Sequence, residues 1–132
     1  MKNKLIIYCF VLFAFAWSCE EKTENEVIMV STEEMQELLE LEDIQLVDVR
    51  TAEEYETGYI EHSQNIDYMS PTFDEELTKL DKTKPIMVYC KSGGRSGKCS
   101  KKLKEAGFKK VYDLEGGIAK WQFDGNEIKT IE

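Results

Sequence analysis

Apolar and polar positions alternate along this chain in blocks, short apolar runs separated by longer stretches of helical spacing. "VIMV" (27–30), "IQLVDV" (44–49), "PIMVY" (85–89) and "KVYDL" (110–114) predict strands, and "NIDY" (65–68) predicts a further short one. "STEEMQELLE" (31–40) opens on Ser31 with Glu34 three residues on, a capping box, and then sets Met35, Leu38 and Leu39 on one helical face. "TAEEYETG" (51–58) predicts a short helix stopped by Gly58. "SPTFDEELTKL" (70–80) places Pro71 in a first turn and Phe73, Leu77 and Leu80 at helical spacing. "RSGKCSKKLKEAG" (95–107) predicts a helix with Cys99, Leu103 and Ala106 inward and Gly107 as its stop, and "GGIAKWQ" (116–122) starts a last one. Strands separated by helices of this length predict an α/β fold, a central parallel sheet of about five strands with helices on both faces.

The first residues follow a different pattern. "MKNK" is basic, "LIIYCFVLFAFAW" is apolar, and "SC" closes the stretch, which is the layout of a secretory signal over residues 1–18. The apolar run is short against the roughly 20 residues of a membrane span. "AWSC" resembles a lipobox, which makes Cys19 the candidate lipidation site; an uncleaved N-terminal anchor is the alternative. Either places the domain in the cell envelope of a bacterium, held to a membrane and outside the cytoplasm. Residues 19–26 are polar and acidic and read as a tether, which leaves residues 27–132 as a single domain. Beyond residue 18 the chain carries 15 basic and 26 acidic residues, a net charge of 15 − 26 = −11. That balance argues against nucleic acid and against anionic lipid headgroups as partners. Small anions, which answer to local groups, stay open.

The domain has two cysteines, Cys90 and Cys99, nine residues apart on one loop and helix. At 1.5 Å per helical residue they are farther apart than the roughly 7 Å that a disulfide spans, so two free thiols are expected. Cys90 stands directly after "PIMVY" and Asp48 at the end of "IQLVDV", two strand ends that deliver polar residues to the edge where ligands bind in such sheets. A free thiol titrates near 8.5, and a helix N-terminus favours its anion. In "CKSGGRS" (90–96), Gly93 and Gly94 let successive N–H groups converge into a nest. Ser92 and Ser96 offer hydroxyls. Lys91 and Arg95 offer charge, unless Arg95 pairs with a carboxylate behind the loop. A thiolate can be stabilised here without the distant His62.

"LVDVRTAEEYETGYI", "VYCKSGGRS" and "GFKKVYDLEGGIAKW" stand in order and at matching intervals, and on them the chain from about residue 28 to 123 resembles the rhodanese domain. The first carries Asp48, Val49, Arg50, Glu54, Tyr55, Gly58 and Ile60, continued by "NI" at 65–66; the last carries Leu114, Gly116, Gly117 and Trp121. The resemblance implies a sulfurtransferase in which Cys90 accepts a sulfane sulfur as a persulfide and yields it to a nucleophilic acceptor. It implies Lys91, Ser92, Gly93, Gly94, Arg95 and Ser96 as the cradle. Asp48 and Arg50 would orient the loop, with Arg50 alternatively meeting an anionic donor. Donors of the thiosulfate or polysulfide kind and a thiol or cyanide-like acceptor follow, with no cofactor beyond the covalent persulfide.

Tyr59 stands where the family often has His. His62 and Ser63 stand where it has small residues, and His62 is expected to face solvent. Cys99 is expected in the core, with a second sulfur-carrying thiol as the alternative. The fold is shared with cysteine phosphatases and arsenate reductases, but Cys90 to Arg95 is Cys-x4-Arg, one residue shorter than their Cys-x5-Arg. A binding module that uses the fold without turnover, or a persulfide carrier or sensor, remains the main rival to an enzyme. Gly116 and Gly117 predict a tight strand-to-helix turn and Trp121 a core residue. No His and Cys cluster has metal spacing, so no metal is expected, and a monomer is expected.

Overall fold

The computed structural model describes residues 26–132; the signal, Cys19 and all but the last residue of the tether lie outside the described residues. Five strands, β1 (Val27–Val30), β2 (Gln45–Asp48), β3 (Gln64–Asn65), β4 (Ile86–Tyr89) and β5 (Val111–Leu114), form one sheet in the order β1-β5-β4-β2-β3. Every pairing is parallel. The helices are α1 (Thr32–Leu41), α2 (Ala52–Thr57), α3 (Phe73–Leu77), α4 (Gly94–Glu105) and α5 (Gly117–Phe123).

Alternation along the buried strands builds two cores. Ile86, Val88 and Cys90 face the side that holds Phe73, Leu77, Cys99 and Leu103 of α3 and α4. Met87 and Tyr89 face the side that holds Met35 of α1 and Ile118 and Trp121 of α5. Trp121 is thus a core residue, and its Nε1 donates to the Glu127 carbonyl at 2.8 Å. The chain leaves β2 toward β3 and leaves β4 toward β5, so its direction across the sheet reverses between β2 and β4. Asp48 is paired with Tyr89 in register, which puts Asp48 and Cys90 on the two banks of that switch point.

The capping box of α1 forms as the spacing predicts, with Ser31 and Glu34 exchanging bonds at 3.2 and 2.7 Å. Three expectations need correction. The strand predicted over 65–68 pairs only at Gln64–Asn65, because the chain then turns and bonds back to β2 through Ile66 N–H to Asp48 O and Tyr68 N–H to Val49 O. The helix predicted over 70–80 is regular only from Phe73 to Leu77. Pro71 precedes it, and beyond Leu77 the chain tightens into i to i+3 bonds, Lys79 N–H to Glu76 O and Leu80 N–H to Leu77 O. Ala106 is exposed rather than inward. Gly107, at φ 97°, reverses the chain in a Schellman motif, with Phe108 N–H on Leu103 O and Gly107 N–H on Lys104 O. Phe108 therefore takes the inward place, packed in the core with Leu103.

Candidate active site

β4 runs straight into the site. Cys90 follows its last residue, is 2% exposed, and points to the α4 side. Gly93, in the left-handed region at φ 116°, turns the chain so that its N–H donates to Cys90 Sγ at 3.1 Å. Ser96, fully buried in the first turn of α4, sets its Oγ 3.5 Å from Sγ. Burial works against a charged sulfur here. The Ser96 hydroxyl and the N–H groups of Ser96, Gly93 and Ser92 outweigh it, and they hold the Cys90 thiol below its ordinary value. Of the six cradle residues expected, Ser92, Gly93 and Ser96 reach the sulfur, Ser92 through its N–H.

Gly116 and Gly117 form the predicted turn from β5 into α5, both at positive φ. It serves the loop. Ile118 N–H donates to Cys90 O at 2.9 Å and Ala119 N–H to Lys91 O at 3.0 Å. A Cβ on Gly117 would stand 2.4 Å from that Cys90 carbonyl oxygen, so only glycine lets α5 come this close.

Arg95 turns away from the sulfur to the carboxylate that the sequence left unnamed, Glu54, in a two-pronged pair at 2.6 and 2.9 Å. Glu54 in turn closes a capping box with Thr51 at the start of α2. The Arg95 guanidinium, helped by Thr51, draws the Glu54 carboxyl down to about 2. Arg50 is buried against Asp48, at 2.6 Å from Nη2 to Oδ2, and also donates to Gly58 O at 2.6 Å. Arg50 is 5% exposed, its guanidinium bonded to the end of β2 and to the Gly58 carbonyl. Asn65 ties β3 to the same corner through Asp48 O and Arg50 O. Lys91 is exposed beside the loop.

Cys90 and Cys99 are both free and buried. Burial pushes the Cys99 thiol up to about 12, which suits a core residue and not a second sulfur carrier. His62 is exposed, with φ 67°. Two acids were given no role by the sequence. Glu54 was legible as part of a second capping box, Thr51-x-x-Glu54, but its partner across 41 residues was not. Asp113 was legible as an acid inside the apolar run "VYDL".

A family described as the rhodanese-like domain matches residues 31–124. YqhL of Bacillus subtilis is 28% identical over 130 residues, covering 98% of each chain. The thiosulfate sulfurtransferase GlpE of Coxiella burnetii is 39% identical over 93 residues, covering 70% of this chain and 85% of that one. Among solved structures, a rhodanese-like domain protein from Staphylococcus aureus superposes with a TM-score of 0.69 at 30% identity, covering 80% of this chain and 100% of its own.

Proposed function

The chain belongs to the rhodanese-like domain family, and from that premise we propose that it is a sulfurtransferase acting through a persulfide on Cys90. The observation that carries the reading is the Gly93 N–H on Sγ at 3.1 Å, in a loop whose N–H groups and Ser96 hydroxyl favour negative sulfur. The Cys90 thiolate attacks the sulfane sulfur of a donor of the thiosulfate kind. The donor's S–S bond breaks and sulfite leaves with the electron pair. A thiol or cyanide acceptor then attacks the outer sulfur of the persulfide, and the Cys90 thiolate is regenerated for the next cycle. The likeness to GlpE supports the thiosulfate class of donor. The four residues between Cys90 and Arg95, and the burial of Sγ among N–H donors, suit a single sulfur atom better than a phosphate.

Thiocyanate formation from thiosulfate and cyanide tests the activity. The protein should turn over, and Cys90→Ser should be inactive with an unchanged unfolding midpoint. An active serine variant would remove Cys90 from the mechanism.

We propose further that the domain works in the cell envelope, lipid-anchored through Cys19. The basic start, the short apolar run and the Ser18–Cys19 pair support this. Metabolic labelling with a fatty acid in a bacterial host should mark the protein and fail with Cys19→Ala. Equal labelling of both, or none, contradicts the anchor.

A further inference from the structure

Asp113 is 2% exposed in β5, and its Oδ1 accepts from no donor. It is paired in register with Val88, two residues before Cys90, and lies under the first turns of α4; a Cβ on Gly97 would stand 3.8 Å from its Oδ2. Burying an acid with an unpartnered oxygen is costly. The groups against it are the hydroxyls of Ser96 and Ser100.

Ser96 joins this acid to the nucleophile. Its Oγ donates to Gly93 O at 3.3 Å and accepts from the Cys90 thiol at 3.5 Å, and the Asp113 carboxylate lies against it; a thiolate would compete with both acceptors for that hydroxyl proton. Ser100 has a firm acceptor of its own, Ser96 O at 2.8 Å, and cannot replace Ser96. We propose that Asp113 is a positioning residue for Cys90, its ionised carboxylate drawing the Ser96 hydroxyl off the sulfur and its neutral acid releasing that hydroxyl to the thiolate or persulfide. Burial, opposed by Ser96 and Ser100, raises the Asp113 carboxyl above the ordinary range.

The other titratable groups at this place are buried or paired. Cys99, facing Asp113 from α4, is held neutral by burial. Arg95, on the same helix but turned away from Cys90, is held charged by Glu54. On β2 the Asp48–Arg50 pair is closed on itself at 2.6 Å, and Met29 of β1 is the uncharged register partner of Asp113.

The inference concerns the same Cys90 as the proposed sulfurtransferase, but its test needs no sulfur transfer. Iodoacetamide alkylation of Cys90 in the full chain, followed by peptide mapping across pH, reads the thiolate directly. Asp113→Asn keeps the shape and removes the charge. It should lower the midpoint of the Cys90 profile by about half a unit or more, as expected when the thiolate gains the Ser96 hydroxyl as a hydrogen-bond donor. In a Ser96→Ala background most of that shift should vanish. An Asp113→Asn profile that overlays the wild type overturns the proposal. So does an equal shift with and without Ser96, because the carboxylate would then act through space alone. Circular dichroism of each variant confirms that folded protein is being read. A protein that fails to form thiocyanate but shows this shift would sink the sulfurtransferase reading and leave the role of Asp113 standing.

Discussion

Glu54 uses one carboxylate for two tasks. Its Oε2 accepts from Thr51 N–H at 3.0 Å to start α2, and the same group holds Arg95 at the head of α4. Both partners are partly exposed, so Glu54→Gln is expected to destabilise by about 0.5–1 kcal/mol near neutral pH. The sign of its pH dependence follows from a carboxyl drawn down to about 2. The contribution is fully present above the ordinary carboxylate range and is lost as pH falls toward that value. Urea unfolding of wild type and variant should therefore converge in acid, and a constant difference down to the lowest pH would contradict the pairing.

Among the elements, the turn from β5 into α5 gives the sharpest contrast. Gly117→Ala drives a Cβ against the Cys90 carbonyl at φ 60° and should cost about 2 kcal/mol or more, with slower Cys90 chemistry. Gly94, with open space at its Cβ and no positive φ, should accept alanine within about 1 kcal/mol. Urea midpoints of the two variants check this; equal costs would refute the close-approach account. This turn and the cysteine loop were legible because paired glycines beside a strand end have few other uses. So were the caps and the apolar strands, whose signals are local. The short register of β3 and the early end of α3 were not legible, because both depend on where the chain turns back on β2 and on bonds beyond Leu77. The Arg95 partner was hidden for the same reason: nothing in the local spacing brings residue 54 to residue 95. The inward place given to Ala106 belongs to Phe108, since helical spacing takes no account of a chain reversal at Gly107.

Over the whole molecule, charge is unevenly spread. Residues 91–110 hold eight lysines and arginines, Lys91, Arg95, Lys98, Lys101, Lys102, Lys104, Lys109 and Lys110, against the single acid Glu105, in a chain with 26 acids. The cysteine loop and α4 thus form a basic region of an acidic protein, suited to drawing in a small anion. Thiosulfate kcat/KM should fall with added salt, and Lys91→Ala should raise KM and flatten that dependence. A salt-independent rate would show that local N–H groups alone recruit the donor.

The central claim is a persulfide on Cys90, and intact mass with peptide mapping tests it most directly. After thiosulfate the protein should gain one sulfur atom, mapped to Cys90, and cyanide should remove it as thiocyanate. A folded protein with a free Cys90 that gains no sulfur from thiosulfate or polysulfide would contradict the account.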